Sequence, residues 1–197
     1  MINDPQIRGL LRKQLDAEHF GDPETVVAEE LGVLHGSSRI DLAVVNETLH
    51  GYELKSDRDS LRLLRGQVDS YCAVFDLVTL VVGERHLLSA LDLIPHWWGV
   101  RIARLEFGDL VFRDLKLPTM NPSPDAVSVA RLLWRDEALF LLRGVGKTEC
   151  GESRSRDWIY AQLVSRLHLD VLRHAVRQSL KERLARQSGG LPRSCGG

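Results

Sequence analysis

Asp41 and, twelve positions on, Glu53-Leu54-Lys55 are the residues of this chain whose types and spacing could do chemistry. Each lies in a short run rich in apolar and β-branched residues, Arg39–Asn46 and Leu49–Lys55, and the polar Asn46-Glu47-Thr48 divides the runs as a hairpin loop does. Side chains alternate across a strand, so Asp41 shares a face with Ala43 and Val45, while Glu53 and Lys55 share one with Gly51. A three-residue loop pairs Val45 with Leu49, Ala43 with Gly51 and Asp41 with Glu53. A two-residue loop sets Asp41 opposite Leu54 and parts the carboxylates, and a bulge offers another route to convergence. With the odd loop, two carboxylates and an ammonium meet on one patch, and Gly51 leaves room beside it. Facing carboxylates raise one pKa unless a cation lies between them. Hard oxygen donors of this kind suit Mg²⁺ or Mn²⁺, which keep several waters and take a substrate phosphate. Such a metal lowers the pKa of a bound water and neutralises charge on the phosphorus. Lys55 could orient that water or stabilise the developing charge. The chemistry expected is metal-assisted hydrolysis of phosphodiesters.

The elements that must position these residues follow from periodicity. A first helix is expected over Pro5–His19, with Asp4 as N-cap, Pro5 at its first position and Ile7, Leu10, Leu11 and Leu15 as the apolar stripe. Gly21-Asp22-Pro23 ends it, and Val26–Leu31 is a further extended candidate. Ser56-Asp57-Arg58-Asp59 has the pattern of a capping box opening a second helix, whose Leu61, Leu64, Val68, Cys72 and Phe75 recur at three and four. Leu77–Val82 is continuously apolar, as a central strand covered on both faces must be. A short helix over Arg85–Leu93 and two strands, Val100–Glu106 and Leu110–Leu115, complete an α/β (α+β) order with an antiparallel start leading into a βαβ unit. Three prolines in Pro118–Pro124 mark a linker. Beyond it, helices are expected over Asp125–Leu142, Asp157–Leu167 and Leu169–Arg186, and residues 188–197 are Gly-rich and expected to be disordered. The organisation is thus a core over 1–117, a linker over 118–124, a basic helical extension over 125–187 and a tail.

This layout resembles the PD-(D/E)XK nuclease superfamily, whose αβββαβ core carries an acid on its second strand and (D/E)-x-K on its third. Arg39-Ile40-Asp41 and Glu53-Leu54-Lys55 stand where that pattern requires, although Ile40 replaces the proline. Gln67-x-x-x-Tyr71 is similar to the Q-x-x-x-Y motif of the RecB-like E-x-K branch, and its two residues, four apart, stack on one helix face. The stretch RIDLAVVNETLHGYELKSDRDSL also looks like a small bacterial family assigned to the superfamily. The resemblance covers residues 5 to 83, with the helical tail similar only loosely. It implies a restriction-endonuclease-like fold and an Mg²⁺- or Mn²⁺-dependent nuclease acting on DNA, with Asp41, Glu53, Lys55 and Gln67 in the catalytic machinery. It implies Asp41 and Glu53 as metal ligands with a third acid from the first helix or first strand: Glu30, with Glu29 and Glu18 as rivals that strand parity does not separate. Tyr71, Arg39 and Arg65 are the substrate contacts, the two arginines being equally explicable as surface charges. The alternative is an inactive nuclease-like module that binds nucleic acid or protein.

The remaining features narrow the class. The charge is uneven: residues 125–197 hold 13 Lys/Arg against 8 Asp/Glu, and residues 1–124 hold 13 against 19. An acidic front and a basic back suit a metal site followed by a phosphate-contacting surface, and solvated helix faces suit them as well. Arg154, Arg156, Arg173, Arg177 and Lys181 are the candidate phosphate contacts of a helix-turn-helix-like element. A homodimer or a protein partner is compatible with the pattern. Gly144-Val-Gly-Lys147-Thr148 is not a phosphate loop, because Leu141 stands where the first glycine belongs. Trp97-Trp98 after Pro95 is a core plug or a base-stacking pair, and His35 is a loop histidine. Cys72, Cys150 and Cys195 are too far apart for a zinc site or a disulfide framework. With no apolar run of about 20 residues and no secretion signal, a cytoplasmic protein without membrane contact is expected.

Overall fold

The computed structural model describes residues 1–146 and 154–188. The expected Gly144–Thr148 loop beyond Gly146, two of the cysteines (Cys150 and Cys195) and residues 189–197 of the tail lie outside these. Among the described residues, seven helices pack on one six-stranded sheet. Helix α1 (Asp4–Glu18) leads into β1 (Val26–Val33), β2 (Ser38–Val45) and β3 (Leu49–Lys55), then α2 (Leu64–Cys72), β4 (Leu77–Gly83), α3 (Leu87–Leu91), β5 (Gly99–Glu106) and β6 (Asp109–Lys116). The strands lie in chain order: β1, β2 and β3 form an antiparallel meander, β3–β4 and β4–β5 are parallel, and β5–β6 is an antiparallel hairpin. The fold is the mixed α+β arrangement expected.

Alternation sorts the side chains into two layers. On one face Ile7, Leu11 and Leu15 of α1 meet Leu42, Val44, Tyr52, Leu54 and Val81. On the other, Ala43, Val45, Leu49, Val78, Leu80 and Val82 meet Leu64, Tyr71 and Phe75. Trp97 and Trp98 are buried in that layer, so they are core and not a base-stacking pair. Helix α1 starts one residue early because Asn3 and Gln6 cap each other reciprocally, each side-chain oxygen accepting the other's backbone N–H at 3.1 Å. The Ser56–Asp59 box instead closes a turn, in which Asp59 accepts from Ser56 N at 2.7 Å and Ser56 Oγ from Arg58 N. Helix α2 begins only at Leu64, after a single turn capped by Ser60.

The expected helix over Asp125–Leu142 is two: α4 (Ala126–Ala130) and α5 (Arg135–Gly144). The chain breaks where Ala130, Leu132 and Leu133 all enter the core, and the Glu137 carboxylate takes the Trp134 N–H to start α5. Helices α6 (Arg156–Arg166) and α7 (Leu169–Ser188) follow. Their Ile159, Leu163, Leu172, Val176 and Leu180 join the same apolar cluster as the sheet. The proline segment is tied down: Asn121 is buried, its amide donating to the carbonyls of Cys72 and Phe75 at 2.7 and 2.8 Å. No helix among the described residues is long and apolar enough to cross a membrane.

Candidate functional site

The β2–β3 hairpin has the register of a three-residue loop: Val45 pairs with Leu49, Ala43 with Gly51 and Leu42 with Tyr52. The ladder stops there, one step short of Asp41 and Glu53. On the outer side, β1 and β2 pair at Glu29–Leu42 and at Leu31–Ile40, skipping Glu30 and Asp41. Glu30 has φ of 54°, in the left-handed region. Alternation fails across this row, since Ile40 packs with Ala43 on the α2 face while Leu42 packs on the α1 face. The strands part, and the acidic residues lie in the opening.

Asp41 fills part of that gap. Its Oδ2 accepts the Leu54 N–H at 2.8 Å, a donor that an unbroken ladder would pair with a carbonyl. Its Oδ1 lies 2.5 Å from the Arg8 guanidinium. Burial holds the Asp41 carboxyl above the ordinary aspartate value, against the pull of Leu54 N–H and Arg8. Glu53 is almost wholly buried, at 1% exposure. Its Oε1 meets Lys55 Nζ at 2.5 Å, and its Oε2 lies 2.8 Å from the Tyr71 hydroxyl. Burial first, then the charge of Asp41, push the Glu53 carboxyl up to about 7, with Lys55 and Tyr71 pulling the other way. The structure thus brings Asp41, Glu53, Lys55 and Tyr71 together.

Gln67 stands behind them, its Nε2 3.4 Å from the Tyr71 hydroxyl, which also lies 2.5 Å from the Arg39 carbonyl. Gln67 Oε1 is buried and accepts no hydrogen bond among the described residues. Of the three rival acids, Glu30 reaches toward Asp41 through Arg8, at 2.7 Å. Glu29 turns to Arg12 at 3.2 Å, and Glu18 lies at another cavity beside His50 and Tyr52. Arg39 is exposed, 3.6 Å from Glu30, and Arg65 is exposed in the first turn of α2. Gly51 does not leave room for a ligand, because a Cβ there would meet Phe75 and Ile40 side chains at 3.1 and 3.2 Å. The glycine serves the core.

Arg8 is the residue that sequence reasoning missed. Its guanidinium spans Asp4, Glu30 and Asp41. The local signal was slight: Arg8 and Arg12 flank the Ile7–Leu11–Leu15 stripe, but nothing near them points to partners 22 and 33 residues away. No group of three or more His, Cys, Asp or Glu among the described residues is arranged to hold a metal. The candidate donors are therefore the Asp41 and Glu53 carboxylates, whose oxygens are engaged by Arg8, the Leu54 N–H, Lys55 and Tyr71. Mg²⁺ is commonly held by one or two carboxylates with water and substrate completing its shell, so this set fits such an ion once Arg8 yields Asp41.

The expected basic contacts divide differently. Arg173 and Arg177 reach the buried Asp76, Arg177 at 3.3 Å, and Lys181 pairs with Glu24 at 2.9 Å, so these three fasten α7 to the sheet. Arg154 lies over the Trp158 ring, and Arg156 is exposed. His35 lies 3.2 Å from the Tyr160 hydroxyl.

Among solved structures, the chain is similar to the SPO1766 protein of unknown function from Silicibacter pomeroyi, at 15% identity and a TM-score of 0.45 over 98% of this chain and 99% of that one. It is also similar to SfsA of Pyrococcus furiosus in complex with Ca²⁺, at 16% identity and a TM-score of 0.33 over 60% of this chain and 65% of that one. Protein cII of Enterobacteria phage P4 is 28% identical over 160 residues, which span 81% of this chain and 60% of that relative's length. The family profile described as Bacteriophage P4 protein cII matches residues 3–194, and the chain belongs to that family.

Proposed function

We propose that this chain is a nuclease-like protein of the PD-(D/E)XK type that hydrolyses phosphodiesters, with DNA as its substrate. The observation that carries this reading is the meeting of Asp41, Glu53 and Lys55 where the β2–β3 ladder stops, with Tyr71 and Gln67 bracing Glu53 from α2. Asp41 and Glu53 are the residues that would hold Mg²⁺ or Mn²⁺, with Glu30 beside them. When bound, the ion supplies an acidified water and a counter-charge for the phosphate. Without the ion, burial and the charge of Asp41 hold the Glu53 carboxyl up at about 7, so uptake of the ion would displace a proton from it. Lys55 brings a cationic donor to the same patch, and Tyr71 fixes the Glu53 rotamer. Digestion of linear, circular, single-stranded and branched DNA with Mg²⁺ or Mn²⁺, beside Glu53→Ala and Lys55→Ala, tests this. The absence of cutting by folded wild type, or equal cutting by the variants, overturns it.

One observation favours a second reading, a binding module without catalysis. Arg8 already supplies a cation to Asp41 and Glu30, so their charges are offset within the chain itself. Calorimetric titration separates the two. Mn²⁺ binding that Asp41→Asn abolishes supports the enzyme, and wild type that takes up no divalent ion supports the module.

A further inference from the structure

A cavity of about 450 Å³ lies between the β1 edge and the C-terminal helices, beside the site just described. Its size falls in the ~300–1,000 Å³ range of ligand sites. From the helices it is lined by Arg131, Arg135, Arg156 and Arg183, and from the sheet by Glu29 and Glu30. The two glutamates are offset by Arg12 and Arg8, and Arg131, Arg135 and Arg183 by Asp157, Asp136 and Glu137, so the uncompensated positive charge of the cavity is that of Arg156. Arg183 lies over the Trp134 ring at 4.6 Å, while Trp134 remains 57% exposed. Arg156 is exposed and has no ion-pair partner among the described residues. The backbone points the same way. Of the four non-glycine residues with positive φ, Glu30, Leu34 and His35 lie at this wall, and Glu30 and His35 line the cavity. Strain of this kind persists where the surroundings hold a functional geometry.

A recessed, arginine-lined cleft with a half-exposed indole matches the way proteins hold unpaired nucleotides, with cations along the phosphates and aromatic rings against the bases. A duplex keeps its bases stacked and paired and so offers no free base face to the Trp134 indole. We propose that this cleft binds a single strand of nucleic acid, with a phosphate on Arg156 and a base on Trp134, and leads it past Glu30 toward Asp41 and Glu53. The proposal deepens the nuclease reading by naming the strand form and its path, and rests on that reading only for the direction of the strand.

The test is fluorescence anisotropy of a labelled single-stranded oligothymidylate with the full chain in EDTA, so that binding is read without cutting. Wild type binds, and Arg156→Glu and Trp134→Ala each weaken binding about tenfold, the scale of one phosphate or stacking contact. A duplex of the same length binds more weakly. Circular dichroism checks the fold of Trp134→Ala, and Arg156→Glu, at an exposed position, stands independently of it. Equal binding by Arg156→Glu and wild type, tighter binding of the duplex, or no strand binding by wild type overturns the proposal. Strand binding without cutting leaves the cleft in place and removes hydrolysis. Cutting that Arg156→Glu leaves unchanged, with unchanged strand binding, does the reverse.

Discussion

Replacing Glu53 with Gln should stabilise the protein at alkaline pH while abolishing any hydrolysis. The Glu53 carboxyl, pushed up to about 7 from an ordinary 4.5, keeps a proton in the folded chain that the unfolded chain has released. Stability therefore falls as pH rises between these two values and is level above the higher one. About two and a half pH units at ~1.36 kcal/mol each give a penalty of roughly 3 kcal/mol for the ionised side chain. The hydrogen bonds agree with a proton there. Tyr71 has one proton for two acceptors, Glu53 Oε2 and the Arg39 carbonyl. A protonated Oε2 can donate to the Tyr71 oxygen, which then donates to Arg39. Gln keeps the shape and removes the ionisation, whatever its fixed cost beside Lys55.

The assay is urea unfolding of wild type and Glu53→Gln at about pH 5 and about pH 8, without divalent ions. The fixed cost cancels between the two pH values. The variant's stability relative to wild type should improve by about 2–3 kcal/mol from the lower to the higher. A difference within about 0.5 kcal/mol would mean that Glu53 ionises as an ordinary carboxylate, and the reasoning from its burial and from Asp41 would fail.

Asp76→Asn should cost about 3–5 kcal/mol in the same unfolding assay, because Arg173 and Arg177 are then left buried against a neutral amide. His50, whose burial pushes its pKa down to about 3, is bonded to Thr79 and Tyr52; the unfolded chain takes a proton below about 6.5 that the folded one refuses. Stability should fall on acidification through that window by about 2–4 kcal/mol, and His50→Gln should flatten the fall. Arg8→Gln frees Asp41 of its guanidinium and should tighten Mn²⁺ binding by calorimetry about tenfold, near the worth of one charge-assisted hydrogen bond; weaker binding would assign Arg8 a supporting role. Asp41→Ala leaves the Leu54 N–H without its acceptor and should lose about 1–3 kcal/mol, whereas Asp41→Asn retains an oxygen and should lose less. Equal losses in thermal melts would refute that account.

Local physics carried most of the fold into the sequence. Period-two runs placed β3 at its bounds and β2 within a residue of its own, and the apolar run from Leu77 placed β4 as the strand covered on both faces. The odd loop at Asn46–Thr48 set the register that brings Asp41 to the level of Glu53. What stayed hidden was long-range. Arg8 finds Asp41 only after α1 crosses the sheet, and Arg173 finds Asp76 only after the whole chain has folded back. Charged residues beside an apolar stripe read as free until the partner across the fold is known, which is why Arg173 and Arg177 read as candidate phosphate contacts. Gly51 misled for a related reason: a glycine announces close approach, but not by what.

Three irregularities of this fold fall on one row. Glu30 adopts a left-handed backbone, β1 and β2 skip a pair at Glu30–Asp41, and β2 and β3 cease pairing before Asp41–Glu53. Each costs on the order of 1 kcal/mol, and the buried Glu53 charge adds to that. Val or Thr at these positions would continue the ladder and suffer none of it. Helix α1 offsets part of the cost through Arg8 and Arg12, and α2 another part through Tyr71. A sheet built for stability alone has no use for an opening held by two helices from opposite faces. The same row also borders the arginine-lined cavity, through Glu30. The break that admits the Asp41 carboxylate also places Glu30 at the cavity wall, so a strand bound as proposed would meet the acids there.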